Sequence, residues 1–161
     1  MQLLDHKIWQ EKVVEIKKVT KVIKGGKKLK FKTIVVVGNK KGLVGLGLGK
    51  SHDVMQSIQK AILNAQKSRI STIITETYSI PHTIEGHFNT AKVIIKPNYP
   101  GSGVIAGSIT RVILELAGFK NISSKQIKST NKLNTGKATL NALELLPKLK
   151  KITHFNHSER K

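Results

Sequence analysis

Apolar and polar positions alternate most regularly between Lys28 and Val37. Leu29, Phe31, Thr33, Val35 and Val37 share one face, and Lys28, Lys30 and Lys32 share the other before giving way to Ile34 and Val36. Strand side chains alternate faces with a period of two, so this stretch predicts a strand that is basic at one end of one face. Upstream, Glu11–Lys24 (EKVVEIKKVTKVIK) is dense in β-branched residues and predicts a second strand, with an irregularity expected at Lys17-Lys18. Gly25-Gly26 between the two is a hairpin signal, and its loop, Lys24 to Lys28, is mostly positive charge. Gly38-Asn39-Lys40-Lys41-Gly42 predicts a second tight, basic turn.

From that turn the chain enters GLVGLGLGKSHDVMQSIQKAILNAQK, residues 42–67. Val44, Leu46 and Leu48 point one way along a strand, while Gly45, Gly47 and Gly49 leave the other face as bare backbone. Ser51 is the expected N-cap of a following helix with Asp53 in its first turn. Val54, Ile58, Ala61, Ile62 and Ala65 form the apolar stripe of that helix. Glycine inside a strand costs stability, so three on one face imply that another backbone approaches there. Three occupants compete: a nucleotide phosphate, a neighbouring strand, or the backbone of a polyanion. A P-loop requires glycine at 44, which is valine, and a dinucleotide fingerprint from Gly45 requires glycine at 50, which is lysine.

Charge selects the polyanion. The 161 residues hold 29 Lys+Arg against 9 Asp+Glu, a formal charge of +20. So large a charge opposes compaction by self-repulsion unless a polyanion neutralises it, and nucleic acid is the expected partner. A membrane is not expected, because no apolar run approaches the roughly 20 residues of a spanning helix. Aromatics are only 4%, which disfavours stacking of unpaired bases and favours recognition of duplex shape and phosphates. The three lysines of the first alternation lie about 6–7 Å apart along their strand, a ladder suited to phosphates. Cysteine is absent, which excludes disulfides and thiolate metal sites. The opening residues carry acids and no apolar core, so no secretory signal is expected.

The second half mixes elements. The domain boundary is placed near Ser68–Ile70. Ile73–Ile80 and Thr90–Lys96 predict strands, separated by a loop over Pro81–His87. Gly101-Ser102-Gly103-Val104-Ile105-Ala106 matches G-x-G-x-x-[GA], yet no acid follows at the distance needed to hold a ribose. Val104–Leu116 predicts a very apolar helix ended by Gly118, followed by a strand over Asn121–Lys128. Thr135–Leu146 predicts a last helix stopped by Pro147. His82 with His87, and His154 with His157, are taken as surface residues rather than metal ligands. The acids are scattered singly and no nucleophile elbow is present, so no enzyme, cofactor or metal is expected.

Eight segments give a more specific reading. They are Glu11-Lys12-Val13-Val14, Val19 through Gly26, Val35-Val36-Val37-Gly38, Val44-Gly45-x-Gly47-x-Gly49-Lys50 and Ile58-Gln59-Lys60-Ala61. Pro100 through Gly107, Val112 through Gly118, and Ser129-Thr130-Asn131 complete the set. In this order and spacing they resemble the bacterial-type S-five family of the small ribosomal subunit, over about residues 9–147. The resemblance implies an α+β fold. Residues 11–68 would be similar to a double-stranded-RNA-binding domain lacking its first helix, with a three-stranded sheet plus a helix. Residues 69–147 would form a β-rich α/β domain with a left-handed βαβ crossover. An arm, 1–10, and a basic tail, 148–161, flank them.

The resemblance also implies function: a non-enzymatic constituent of the small subunit that supports assembly and translational accuracy. The expected partners are small-subunit ribosomal RNA, the neighbouring proteins S-four and S-eight, and messenger RNA where it enters the subunit. From charge and resemblance together, the expected RNA-binding residues are Lys21, Lys24, Gly25, Gly26, Lys27, Lys28, Lys30, Lys32, Lys40, Lys41, Gly45, Gly47, Gly49, Lys50 and Lys60. Gly101, Gly103 and Arg111 are expected at a protein interface. Leu43, Leu46 and Leu48 stand where many members carry Arg and aromatics. Trp9-x-Glu11-Lys12-Val13-Val14 and the Lys-Gly-Gly-Lys-Lys tip resemble cyanobacterial and plastid members. With a Lys-, Ile- and Asn-rich composition, the expected setting is a plastid (chloroplast) ribosome, the alternative being a bacterial cytoplasm. The rival readings are a nucleotide-binding enzyme and a general DNA architectural protein.

Overall fold

The computed structural model describes residues 9–155, with side chains described as far as Leu146. Residues 1–8 of the expected arm and 156–161 of the expected tail, including His157, lie outside them. The elements are β1 (Gln10–Ile23), β2 (Gly26–Gly38), β3 (Leu43–Ser51), α1 (Val54–Lys67), β4 (Arg69–Ser71), β5 (Ile84–Phe88), β6 (Ala91–Pro97), β7 (Val104–Ile105), α2 (Ser108–Ala117), β8 (Ile122–Lys128) and α3 (Lys132–Phe155). Two four-stranded sheets result, ordered β1-β2-β3-β4 and β5-β6-β8-β7. The first is antiparallel throughout. In the second, β7 and β8 are parallel and joined through α2, a βαβ unit.

The alternation in β2 decides what each face of the first sheet meets. Val35 and Val37 pack with Ala61 and Ala65 of α1, and Trp9, Ile58 and Ile62 close round them. Thr33 and Ser57 satisfy each other there through a buried hydroxyl pair at 2.7 Å. On the opposite face Ile34, Val36, Val44 and Leu46 belong to one continuous core with Ile109, Ile113 and Leu116 of α2 and Ala138 and Leu143 of α3. The two halves of the chain therefore share a core. This explains the apolar character of α2, most of whose residues are buried within the chain.

The seam is also hydrogen-bonded. The Gly38–Gly42 turn sits on the end of α2, where Lys40 N–H donates to the Leu116 carbonyl at 2.9 Å and Gly42 N–H to that of Ala117 at 2.9 Å. These bonds satisfy last-turn carbonyls that a helix leaves open. Gly118 ends α2 at φ 108°, as its glycine predicts.

Several boundaries differ from the sequence reading. The irregularity in β1 falls at Val13–Glu15, not at Lys17-Lys18. Asp53, not Ser51, occupies the N-cap of α1, and the Ser51 hydroxyl instead donates to Gln56 at 2.9 Å. The first sheet gains a fourth strand beyond the expected boundary, because Arg69–Ser71 pairs along β3. Ile73–Ile80 is no strand. The Thr75 hydroxyl donates to the Ser79 carbonyl and accepts from its N–H, a local turn that diverts the backbone from a ladder. β5 begins within the expected 81–87 loop and runs to Phe88, Val104-Ile105 forms β7 before α2 begins, and α3 runs on past Pro147. A proline removes one helical hydrogen bond without requiring the helix to end.

Candidate nucleic-acid interface

Register assembles the lysines. Across the first sheet Lys17 stands opposite Lys32, and Lys32 opposite Lys50; beside this row Val19 faces Lys30 and Lys21 faces Lys28. Directly opposed residues share a sheet face with Cβ atoms about 4.5–5.5 Å apart. Lys17, Lys21, Lys28, Lys30, Lys32 and Lys50 thus occupy one surface, turned away from α1. Of these, only Lys17 has a carboxylate partner among the described residues. Like charges placed opposite one another cost free energy, so the arrangement favours binding of an anion.

The hairpin tip extends this surface. Gly25 at φ 94° and Gly26 at φ 147° are exposed, with nothing within 4 Å of an added Cβ. Conformation, not crowding, requires glycine there. Lys24 and Lys27 flank them, Lys27 pairing with Val22 on the opposite face from the ladder.

Other expected residues lie elsewhere. Gly45, Gly47 and Gly49 are buried beneath α1, which fills the face where a polyanion backbone is expected. An added Cβ at these three positions would meet the carbonyl oxygens of Ala65, Ala61 and Ser57 respectively. The approaching backbone is that of α1, which also leaves no cradle for a nucleotide. Lys60 is exposed on α1, across the sheet from the ladder. Lys40 and Lys41 are exposed at the opposite end of β2 from the hairpin tip.

Lys17 was missed because an irregularity expected at that position obscured its face; the bulge lies nearer the N-terminus and leaves Lys17 in register with Lys32. Glu15, which follows the bulge, lies at the inner margin of the lysine surface. Its Oε1 pairs with Lys132 at 2.9 Å and its Oε2 with Lys17 at 3.4 Å. The bond from Lys132 holds the Glu15 carboxyl below the usual glutamate range, with Lys17 adding to the effect.

The expected protein-interface residues lie on the second unit, and among the described residues no contact joins Gly101 or Gly103 to Arg111. Gly101 at φ 89° and Gly103 at φ 75° are exposed with open space beside them. Gly101 N–H donates to Asn121 Oδ1 at 2.9 Å. The glycine motif does not open a helix, since β7 intervenes. Arg111 is exposed and pairs with Glu115 at 2.7 Å, while Lys12 of β1 lies 3.7 Å from the same carboxylate. The Arg111 bond lowers the Glu115 carboxyl, and Lys12 and Arg111 add attraction. At β5, Lys92 likewise lowers Glu85, with His87 beside it.

Among the described residues no group of three metal-ligating side chains is assembled, and no helix is long and apolar enough to cross a membrane. The class these features define is a basic protein of two α+β units joined through one core, with a lysine-rich face on its first sheet.

Comparison with known proteins gives the particular family. The model for "Ribosomal protein S5, N-terminal domain" matches residues 9–71, and that for "Ribosomal protein S5, C-terminal domain" matches residues 86–154. The chain is 55% identical over 138 residues to "Small ribosomal subunit protein uS5c" of Gracilaria tenuistipitata var. liui, covering 86% of this chain and 80% of the relative. It is 53% identical over 135 residues to the protein of the same name from Guillardia theta, covering 84% and 80%. To "Small ribosomal subunit protein uS5" of Nostoc punctiforme it is 49% identical over 144 residues, covering 89% and 82%. The chain belongs to the ribosomal protein S5 family, whose members are structural, non-enzymatic components of the small ribosomal subunit.

Proposed function

We propose that the chain holds small-subunit ribosomal RNA by its phosphate backbone, through the hairpin tip and the lysine face of the first sheet. The observation that carries this reading is the row Lys17, Lys32 and Lys50, with three like charges side by side across three strands. Lysine ammonium groups at strand spacing suit phosphates and carry no base-reading geometry, so affinity comes from the backbone and selectivity from RNA shape. Competition between structured small-subunit RNA and duplex DNA at matched salt tests this. Preference for the RNA is expected; equal affinity would favour a general architectural role.

The exposed residues Gly101, Gly103 and Arg111 are proposed to contact S-four, with S-eight and incoming messenger RNA as further neighbours. Replacing Gly103 with a bulky residue is expected to lower S-four occupancy and alter decoding accuracy without abolishing assembly. Wild-type values for both would remove this assignment. The proposed setting is a plastid ribosome, consistent with the relatives named above; a bacterial cytoplasm is the alternative.

A further inference from the structure

We propose that the phosphate track does not end at the first sheet but crosses onto the second unit at Lys132, with Glu15 setting the spacing of the two ammonium groups at the crossing. This rests on the lysine face being the RNA surface.

Glu15 is shared. One carboxylate oxygen takes Lys132, the first residue of α3, and the other takes Lys17 of the lysine row. The carboxylate is largely covered, its side chain 17% exposed, whereas those of Lys17 and Lys132 are 64% and 38% exposed. One negative charge thus serves two positive ones, leaving the junction net positive with its ammonium groups facing outward. Each ammonium has three N–H donors, and a single carboxylate contact leaves others free for the oxygens of a phosphodiester. No acid stands in the first turn of α3 to oppose such an anion. Lys132 therefore prolongs the row of Lys50, Lys32 and Lys17 from the first unit onto the second.

An interdomain clamp without RNA contact would use the same ion pair, but it makes a different prediction. If the pair only clamps, removing Lys132 weakens the fold but leaves the salt slope of RNA binding unchanged. If Lys132 contacts phosphate, its removal flattens that slope, and removal of Glu15 acts oppositely on affinity.

The test uses the whole chain and small-subunit ribosomal RNA across a salt series, with thermal unfolding of each variant run alongside. Lys132→Gln is expected to weaken binding and flatten the log–log salt slope by about 0.7–0.9, the loss of one phosphate contact. Glu15→Gln is expected to bind severalfold more tightly at the same salt, because it removes a negative charge from the track, even while it lowers thermal stability. Lys132→Arg should restore the slope, and carries the test against Lys132→Gln if Glu15→Gln does not fold. An unchanged slope in Lys132→Gln, or weaker binding in Glu15→Gln, overturns the crossing. A Lys32→Gln/Lys50→Gln double variant separates the two levels. A slope lost there but kept in Lys132→Gln overturns the crossing alone; a slope kept in both overturns the lysine-face reading itself.

Discussion

Lys32 and Lys50 stand directly opposite each other on β2 and β3, and Lys17 stands opposite Lys32 on its other side. Like charges so placed destabilise a sheet by roughly 0.2–1 kcal/mol per pair. Lys50→Gln is therefore expected to stabilise the free protein by several tenths of a kcal/mol at low salt. The gain should fade towards 1 M salt, where the screening length drops to about 3 Å. The same substitution should weaken RNA binding. Denaturant unfolding at two ionic strengths checks the first part; a loss of stability at low salt would count against it.

The close approach of β3 and α1 makes a second prediction. A methyl group at Gly47 would collide with the Ala61 carbonyl oxygen and come within 2.9 Å of Ala65 Cβ. Neither backbone yields readily, so Gly47→Ala should destabilise the protein by about 1–3 kcal/mol or more without RNA present. At Gly25 an added Cβ meets nothing, and the cost of Gly25→Ala is that of φ 94° alone, about 1–2 kcal/mol. If Gly47→Ala unfolded like the wild type, the β3–α1 contact would be wrong.

This glycine face marks how far the sequence could be followed. The alternation of Val44, Leu46 and Leu48 with three glycines signals a bare face, yet a glycine does not specify whose backbone fills the space. The complementary signal is Ser57, Ala61 and Ala65, small residues four apart on the very next helix. The hairpin and its lysine ladder were legible because a period of two and a Gly-Gly turn are local properties. Register across strands is not local. Lys17 joined the row only once the bulge was located at Val13–Glu15. β5 was hidden because Pro81 and Gly86 read as loop residues. An added Cβ at Gly86 would meet the Ala138 carbonyl of α3, so this glycine makes room for a helix.

The shared core predicts cooperative unfolding. Leu114 is fully buried in a cluster containing Ile34, Val36 and Leu46 of the first sheet. Leu114→Ala should cost about 2–5 kcal/mol. It should shift together the transitions seen by Trp9 fluorescence, which reports the first unit, and by far-ultraviolet circular dichroism, which reports both. Separate transitions would mean that the two units have independent cores.

Acid should loosen the seam. Glu15 and Glu115 titrate below the usual glutamate range, chiefly through their bonds to Lys132 and Arg111 respectively. A carboxyl lowered on folding binds fewer protons in the native than in the unfolded state, so stability rises with pH through that range. Their contribution is present above the unfolded value of about 4.3 and is lost as pH falls through the lower, folded values. Glu115→Gln should therefore show a shallower loss of stability on acidification than the wild type. An identical pH profile would remove Glu115 from this account.

The central claim is that the hairpin and lysine face grip RNA phosphates. The most direct measurement is the salt dependence of binding to small-subunit ribosomal RNA for the wild type and a Lys27→Gln/Lys28→Gln/Lys30→Gln variant. These side chains lie on exposed positions, where neutral replacements change stability little, so the variant should keep its fold. Three lost phosphate contacts should flatten the slope of log K against log salt by roughly 2–3. A variant that binds with the wild-type slope would show that these lysines form a solvated face and that the RNA lies elsewhere.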